Sequence, residues 1–516
     1  MAQHKPTDEQ QAILDAMASG GNMAISARAG TGKTTTLRMI AEANPKKQML
    51  YIVFNKSAQE ASAKHFPPNV TVKTSHALAF PEFGRHVIDR VVHQQSPHAW
   101  KMAQVLGLRD FEVSEGHIIS GKAQASLANA MVLRFCHSAD PMITEDHLRY
   151  VEGLERNETD VLARRLVPYA KKIWADITRP TGLFKPTHDS YLKQWQLTNP
   201  SLTGYDVLLY DEAQDANPCV ASVVESQDHA QIIAVGDSAQ AIYAWRGAGD
   251  FLARMKADHR LSLTQSWRFG QAVADEGNLW LLLLDPSCQT LVRGRPDHQS
   301  EVTKLGHADA VLCRTNAGAV TAAIAAQAAG EKVHLEVAVD NIKKLAYACD
   351  QLQQGKQPAH PLLAAFRHWG ELLEHIKDDP TADLDLALTV RLVESFSVST
   401  VIRAVDSCVP EASADVVIST AHKAKGLEWP NVKIGSDFPE PRDKKTGTQL
   451  PVPDALAQLA YVAVTRAKDK LDLGGLAWIH DRPEVQSFLP APSAVPAPEP
   501  PPTLSGPSTG PELGAA

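Results

Sequence analysis

The stretch Ala24-Ile-Ser-Ala-Arg-Ala-Gly-Thr-Gly-Lys-Thr-Thr-Thr-Leu37 decides how the first part of this chain folds. It starts in a short apolar run, residues 23–26, which is typical of a buried strand. Gly30 and Gly32 allow backbone N–H groups to converge on an anion, because no Cβ atom stands in the way. The residues that follow can start a helix whose N-terminus faces that anion. The stretch therefore predicts a strand, a phosphate-binding turn and a helix.

The same turn carries side chains suited to a nucleoside triphosphate. Lys33 would place its charge on the β- and γ-phosphates, and the Thr34 hydroxyl would bind Mg²⁺. The strict form of this pattern begins with Gly, where this chain has Ala27, so the turn alone leaves open a glycine-rich connection without a ligand. The residues predicted to contact the nucleotide are Ala29, Gly30, Thr31, Gly32, Lys33, Thr34 and Thr35.

A second motif, Val207-Leu-Leu-Tyr-Asp-Glu-Ala-Gln-Asp215, ends a predicted strand in carboxylates. Asp211 would stand at the carboxyl end of the strand, where parallel α/β folds bind their ligands. We predict that Asp211 holds Mg²⁺ and that Glu212 accepts a proton from an attacking water. Alone, the segment could be a solvated acidic turn. Together, the two motifs predict an ATP-hydrolysing site with ATP and Mg²⁺ as cofactors.

Size and composition limit the remaining possibilities. A chain of 516 residues with 44% hydrophobic residues is too long for one core and suggests several packed units. The net charge of −8 confines any nucleic-acid binding to a local groove. The six Cys are scattered without metal-ligand spacing, which favours buried, reduced thiols. No signal peptide or membrane-spanning run is recognisable, so we expect a cytoplasmic protein without a membrane partner.

Alternation of strand and helix signals predicts two α/β domains, each interrupted by a helical insertion. Strand signals fade after the third strand and return before Asp211, and a similar gap occurs in the second half. The predicted units are a first domain (1–81 and 196–275), a helical insertion (82–195), a second domain (276–340 and 409–485), a short helical insertion (341–408) and a disordered Pro-rich tail (486–516).

From about residue 7 to residue 475, the motifs resemble in order those of the superfamily 1 helicases of the UvrD/Rep type. The resemblance implies two RecA-like P-loop NTPase domains. Three stretches look most like the F-box DNA helicase branch: Phe54-Asn-Lys-Ser-Ala58, Thr187-His-Asp-Ser-Tyr-Leu-Lys-Gln-Trp-Gln-Leu197 and Leu263-Thr-Gln-Ser-Trp-Arg-Phe-Gly270. The residues before the phosphate-binding turn leave no room for an F-box, so we expect neither that domain nor a ubiquitin-ligase role.

The resemblance also implies roles around the nucleotide. Gln10 is similar to a glutamine that reads adenine, since an amide pairs with both a donor and an acceptor. Trp267 is similar to an aromatic residue that stacks on adenine, and Glu428 to an acceptor for the ribose hydroxyl. Taken alone, Gln10 would be an ordinary surface glutamine.

Three further residues match those that respond to the γ-phosphate. Arg268 and Arg466 resemble arginine fingers from different domains, which bring positive charge to the transition state when the domains close. Gln240 resembles a γ-phosphate sensor. The alternative for each arginine is a surface ion pair. The predicted catalytic residues are thus Lys33, Asp211, Glu212, Gln240, Arg268 and Arg466.

Aromatic rings close to Gln240 suggest a grip on a nucleic-acid strand. Tyr243 and Trp245 could stack on bases of any sequence, although either ring could instead belong to the core. Backbone contacts carry no sequence information, which suits a translocating motor. The residues predicted to contact DNA are Thr74, His76, Tyr243, Trp245, Arg246, His422 and Lys425.

We therefore predict an ATP-dependent translocase on single-stranded DNA that unwinds DNA; the resemblance implies 3′→5′ polarity and a role in recombination or repair. Expected partners are single-stranded and tailed duplex DNA, with a recombinase filament or a nuclease as further candidates, and we expect a monomer. The short second insertion keeps open a DNA-stimulated ATPase subunit of a defence or nuclease complex that does not unwind alone. A structural protein with a decayed site is a second alternative. Stacking and phosphate contacts also leave RNA open as the track.

Overall fold

The computed structural model describes residues 5–53, 55–243, 249–378, 384–443 and 445–486, without the side chains of residues 378, 384 and 385. Three sequence predictions lie outside this part of the chain. They concern Phe54 in the resemblance, Trp245 with Arg246 in the predicted strand grip, and the tail from residue 487 onward.

The first α/β unit is a six-stranded sheet in the order β3-β2-β6-β7-β1-β8, in which all neighbours run parallel. Alternate residues of β2 enter different cores: Met49 and Tyr51 pack on one face, and Leu50 and Ile52 on the other. A parallel sheet covered on both faces needs such a continuous apolar run. The elements are α1 (Asp8–Ser19), β1 (Met23–Ala27), α2 (Lys33–Ala43), β2 (Met49–Val53), α3 (Lys56–Ala63), β3 (Val70–Thr74), β6 (Val207–Tyr210), α10 (Pro218–Glu225), β7 (Gln231–Gly236), α11 (Phe251–Arg254) and β8 (His259–Leu263).

A mainly helical insertion joins β3 to β6. It also contains a short antiparallel hairpin, β4–β5, which the sequence analysis did not predict. Lys193 of this insertion is fully buried and donates to the carbonyl oxygens of Ser138 and Asp140, thereby fixing the end of α7. The elements are α4 (Ser75–Ala79), α5 (Ile88–His93), α6 (Ala99–Leu106), β4 (Phe111–Ser114), β5 (His117–Ile119), α7 (Gly121–His137), α8 (Arg156–Ile177) and α9 (His188–Leu197).

The second α/β unit repeats the plan with a parallel sheet in the order β11-β12-β10-β13-β14-β9. Its α-helical insertion lies between β11 and β12. The elements are α12 (Gln271–Leu284), β9 (Glu301–Val302), β10 (Ala310–Cys313), α13 (Asn316–Ala328), β11 (Val333–Glu336), α14 (Val339–Gln353), α15 (Trp369–Asp378), α16 (Leu384–Ser395), α17 (Val398–Asp406), β12 (Val416–Thr420), β13 (Trp429–Ile434), α18 (Asp454–Val464), β14 (Ala467–Asp472) and α19 (Pro483–Gln486).

Two parallel sheets with helices on both faces confirm the predicted fold class. The two insertions also contact each other, because Ala364 and Ala365 of the second enter the apolar core of the first. The His375 Nε2 atom lies 2.9 Å from a Glu152 carboxylate oxygen beside this contact. The carboxyl ends of the strands in both sheets carry the residues discussed next.

Some features are absent from the described ranges. No helix within them is both long and apolar enough to cross a membrane. In the same ranges, no group of three or more His, Cys, Asp or Glu side chains is arranged to hold a metal ion. All six cysteines are free thiols.

Candidate active site

The turn between β1 and α2 has the backbone conformation that requires glycine. Gly30 and Gly32 have φ values of +73° and +81°, in the left-handed region that other residues avoid. A Cβ atom on Gly30 would also lie 2.5 Å from the Ser266 hydroxyl oxygen. The Trp267 N–H donates to the Gly30 carbonyl at 2.8 Å, so the segment after β8 lies directly against the turn. The N-terminus of α2 therefore faces a space lined by two separate parts of the chain.

Lys33 and Glu212 meet at the floor of this space. The Lys33 ammonium lies 2.6 Å from a Glu212 carboxylate oxygen, and Gln214 donates to the other oxygen at 2.6 Å. Burial would raise the pKa of Glu212, but the charges of Lys33 and Lys425 outweigh it and hold that pKa well below its usual value. Burial would lower the pKa of Lys33, yet Glu212 and Asp211 raise it. Both groups are thus charged at neutral pH.

Asp211 has a different environment although it is the next residue. The Tyr51 hydroxyl donates to its carboxylate at 2.6 Å, and Thr34 lies beside the same phenol. Burial and the Glu212 charge together raise the pKa of Asp211. A carboxylate and a hydroxyl next to a phosphate-binding turn are the hard oxygen ligands that Mg²⁺ prefers, so the donor set fits that ion. Tyr51 is not among the predicted site residues, because it lies within an apolar run that is typical of a core strand.

Gln240 and Arg466 connect the two α/β units across the cleft. Arg466 is only 2% exposed, and its guanidinium lies 3.4 Å from the Gln240 side-chain oxygen. The Gln240 amide donates to Asp237 at 2.8 Å. Burial and the nearby Arg268 charge lower the pKa of Arg466 to about 9. A buried arginine beside a second arginine favours an anion in the same space.

Arg268 is held by the second unit. Its guanidinium lies 2.6 Å from Glu428 and donates to the Thr465 carbonyl at 3.0 Å. Lys468 approaches the other Glu428 oxygen at 3.7 Å. Burial would raise the pKa of Glu428, but Arg268 and Lys468 lower it. Glu428, predicted to accept from a ribose hydroxyl, is thus paired with Arg268.

The two residues predicted to contact adenine differ in accessibility. Trp267 is 47% exposed, and its ring lies 3.7 Å from where a Cβ atom on Gly32 would be. Gln10 is only 5% exposed; its amide accepts from the Thr7 N–H and donates to the Thr36 hydroxyl at 3.2 Å. Trp267 is thus open to a base, whereas both polar atoms of the Gln10 amide are bound within the protein.

Other residues of the turn make contacts that no local pattern indicated. Arg28 forms an ion pair with Asp237 at 2.9 Å, and the Thr31 hydroxyl donates to the Arg28 carbonyl. The Ala29 N–H donates to the Tyr461 hydroxyl of the second unit at 3.2 Å. Thr35 lies beside Gly32 at the start of α2. These contacts fix the turn against both sheets.

Lys425, which is predicted to contact DNA, is almost buried between the two units. Its side chain is 9% exposed, forms an ion pair with Asp215 and donates to the Gln240 carbonyl at 2.6 Å. Its ammonium lies 5.6 Å from the centre of the Tyr243 ring, whose hydroxyl donates to the His422 carbonyl at 2.9 Å. Lys425 is drawn inward because the buried Asp215 carboxylate needs a cation.

A cavity of about 560 Å³ adjoins these groups. Its wall includes Asp211, Tyr243 and His76, so it connects a predicted catalytic residue to residues predicted to contact DNA. His76 lies 3.0 Å from Asp189 of α9, while Thr74 is buried and caps α4 through the Ala77 N–H at 3.1 Å. Tyr243 and His76 thus face one space, whereas Thr74 is not part of its wall.

Comparison with known families agrees with this architecture. Residues 9–246 match the family described as "AAA domain", and residues 309–474 match the "UvrD-like helicase C-terminal domain". The chain belongs to the UvrD-like superfamily 1 helicases. The resemblance inferred from the motifs is therefore confirmed.

Among curated relatives of this UvrD-like helicase, F-box DNA helicase protein 1 of Schizosaccharomyces pombe is 29% identical over 513 residues, covering 90% of this chain and 57% of the relative. F-box DNA helicase 1 of Gallus gallus is 32% identical over 506 residues, covering 91% and 49%. RecBCD enzyme subunit RecB of Mycobacterium tuberculosis is 31% identical over 138 residues, covering 26% and 10%. The chain thus spans about half the length of the F-box relatives.

In this UvrD-like helicase, the predicted catalytic side chains lie around one cleft. The first unit supplies Lys33, the adjacent carboxylates Asp211 and Glu212, and Gln240, and the second supplies a buried arginine. Arg268 comes from the segment between the two units, and its guanidinium donates a hydrogen bond to the second unit. The six residues are Lys33, Asp211, Glu212, Gln240, Arg268 and Arg466.

Proposed function

We propose that the protein is an ATP-dependent DNA helicase that hydrolyses ATP in the cleft between its two α/β units and translocates on single-stranded DNA. The observation that supports this most strongly is the convergence of Lys33, Arg268 and Arg466 on one space. Three cations from different parts of the fold, next to a phosphate-binding turn, suit the charge of a γ-phosphoryl group.

Glu212 would accept the proton of the attacking water. Its low pKa keeps it ionised at neutral pH, and Gln214 fixes its orientation. Lys33 would leave Glu212 for the phosphate oxygens, so that the carboxylate becomes available as a base. Thr34 and Asp211 would hold Mg²⁺, which neutralises charge on the phosphate oxygens when bound. Trp267 would stack on adenine.

Three further assignments around the nucleotide remain proposals. Arg268 would exchange Glu428 for the γ-phosphate, after which Glu428 could accept from the ribose hydroxyl. Gln10 would read adenine only if its amide left Thr7 and Thr36.

Gln240 would couple hydrolysis to movement. Its side chain contacts Arg466, its carbonyl accepts from Lys425, and Tyr243 follows three residues later. A change at the γ-phosphate would therefore reach both the second unit and an aromatic ring beside the cavity. We propose 3′→5′ polarity and a role in recombination or repair from the resemblance to the F-box relatives.

A second candidate is a DNA-stimulated ATPase that does not unwind DNA alone. Its support is the short second insertion, whose described residues form four α-helices between β11 and β12, together with the similarity to RecB, which is named as a subunit of an enzyme. In this case a nuclease or recombinase partner would complete the activity. For either candidate we propose a cytoplasmic monomer.

Measuring ATP turnover with and without single-stranded DNA, beside displacement from 3′- and 5′-tailed duplexes, tests both candidates. Glu212→Gln should lower turnover by about 100-fold or more, as for loss of a general base. Glu60→Gln, on the surface of α3, is the matched control and should behave as the wild type. Stimulation with displacement only from the 3′-tailed duplex supports the helicase. Stimulation without displacement supports the second candidate, and the absence of ATP turnover contradicts both.

A further inference from the structure

Two arginines of the first insertion line the cavity that adjoins the hydrolysis site. Arg134 lies on α7, and Arg149 follows the 3-10 turn Glu145–His147. The Arg134 guanidinium donates to the His147 carbonyl at 2.8 Å, so the helix and the turn are tied together close to both charges. None of the sequence motifs includes either residue.

These arginines are close together without a carboxylate to balance them. In the described part of the chain, neither forms an ion pair within 4.0 Å. Burial and the charge of Arg149 lower the pKa of Arg134 to about 10. Two adjacent cations repel each other, and an anion between them would remove that repulsion.

The acidic residues that line the cavity are already engaged. Asp189 lies between two histidines, at 3.0 and 3.1 Å, and its pKa is held low by them against the effect of burial. The other three are Asp211, Glu212 and Asp215, whose partners are Tyr51, Lys33 and Lys425. Each of these carboxylates thus has a hydrogen-bond or ionic partner within the protein, whereas the two arginines meet no carboxylate of the described residues, so the insertion supplies a positively charged side of the cavity.

The size and remaining lining of the cavity suit one unit of a nucleic-acid strand. A volume of about 560 Å³ lies within the range of about 300–1,000 Å³ that small organic ligands occupy. Leu133, which is exposed, and Tyr243 supply an apolar and an aromatic surface. A base can stack on such surfaces in any sequence while its phosphate stays at the positive side.

We propose that Arg134 and Arg149 bind a backbone phosphate of the translocated single strand and direct the adjoining base into the cavity towards Tyr243. This proposal rests on the function proposed above. Asp211, Glu212 and Asp215 form part of the same wall, so a strand in this position would contact the residues that hydrolyse ATP. The first insertion would then report strand occupancy to the hydrolysis site directly.

Salt dependence of strand binding provides the test. We would measure the affinity of the full chain for a fluorescently labelled oligothymidylate by anisotropy over a series of KCl concentrations. The slope of log K against log [KCl] should become shallower by about 0.7 when this phosphate contact is lost. The double variant should show the full change, and Arg149→Gln and Arg134→Gln should each show part of it. Arg149→Lys retains the charge and should keep a slope near that of the wild type.

Arg164→Gln is the matched control because Arg164 is exposed on α8, in the same insertion, and does not line the cavity. Its slope should equal that of the wild type. Arg134 also donates to the His147 carbonyl, so the thermal unfolding of each variant must be compared with that of the wild type. If Arg134→Gln unfolds, the salt dependence of Arg149→Gln decides the result, because Arg149 is exposed.

Each outcome supports or overturns the proposal. Unchanged slopes for Arg149→Gln and the double variant would overturn it and leave the pair to another anion, such as an acidic partner protein. Competition by thymidine monophosphate or inorganic phosphate as strong as that by the oligonucleotide would identify a free-phosphate site instead. Absence of strand binding by the wild type and by Arg164→Gln would reject the proposed function itself, and the strand site with it.

Discussion

At the scale of single residues, the adjacent carboxylates Asp211 and Glu212 show how environment divides two similar groups. Lys33 and Lys425 lower the pKa of Glu212, whereas burial and the Glu212 charge raise that of Asp211. Such opposed shifts are typical of sites in which one group acts as a base and its neighbour has another task. The two pKa values differ because different sets of cations lie close to the two carboxylates, and those cations are distant in the sequence.

Trp267 provides a prediction at this scale. Trp267→Ala should raise the KM for ATP about tenfold, with a smaller effect on kcat, because base–aromatic stacking contributes about 1–3 kcal/mol. Steady-state turnover over a range of ATP concentrations measures both quantities. Trp267→Phe keeps a ring and should retain most of the affinity. An unchanged KM in Trp267→Ala would show that this exposed ring does not contact the nucleotide.

Residues within contiguous motifs were predictable, while their partners were not. Gly30, Lys33 and Glu212 lie in short patterns whose chemistry can be read locally. Tyr51 and Tyr461 reach the same site from an apolar strand and a buried helix, where nothing local distinguishes them from core residues. Their contacts depend on strand order and on the docking of two units, which no local pattern encodes.

At the scale of elements, α12 is joined to the 3-10 segment Gly474–Asp481 by one titratable contact. His480 lies 3.0 Å from a Glu276 oxygen, and Glu276 is almost fully buried. The hydrogen bond and the charge of Glu276 raise the pKa of His480 above 6.5, in opposition to burial. A raised pKa in the folded state contributes stability below the unfolded value of 6.5, and this stability is lost as pH rises through the folded value.

We therefore expect His480→Gln to lower the thermal stability of the protein at pH 6 and to have a smaller effect at pH 9. Melting temperatures of wild type and variant across this range measure the effect. His65→Gln, at an exposed position of the first unit, should shift stability little at either pH. A difference that is equal at both pH values would mean that His480 acts through packing rather than through its charge.

Strands with long apolar runs were predictable, and short or edge strands were not. β2 and β6 are buried along their whole length, so their apolar sequence is continuous. By contrast, β4 of the hairpin and the edge strand β8 carry half-exposed polar residues and have no distinctive pattern. β9 has only two residues. The edge strands β8 and β9 pair with strands that are distant in the sequence, so their own sequences do not predict them.

At the scale of the whole molecule, the cleft between the two units is held by a few specific contacts. Ala29 and Ile242 of the first unit enter the apolar core built around α12 and α18. Polar contacts cross nearby between Gln240 and Arg466 and between Asp215 and Lys425. Because packed interfaces tend to adopt discrete arrangements, these contacts suit the proposed function, in which ATP hydrolysis would drive a stepwise relative movement of the units.

Lys425 carries the prediction at this scale. Its ammonium connects Asp215 with the Gln240 carbonyl and also lies 3.9 Å from Glu212, so it links the second unit to two motifs of the first. We expect Lys425→Met to reduce the stimulation of ATP turnover by single-stranded DNA by about tenfold, since coupling free energies are typically about 1–3 kcal/mol. Turnover with and without DNA, beside ATP affinity, measures this loss.

Loss of stability must be separated from loss of coupling in this variant. Removing Lys425 leaves the Asp215 carboxylate buried without its cation, which is strongly destabilising, whereas replacing both members by apolar residues is often neutral. The double variant Lys425→Met with Asp215→Leu should therefore recover stability but not DNA stimulation. Lys423→Met, in the same turn but half exposed, should retain both. If the double variant recovered stimulation together with stability, the contact would serve the fold alone, and communication across the cleft would have to pass through Gln240 and Arg466.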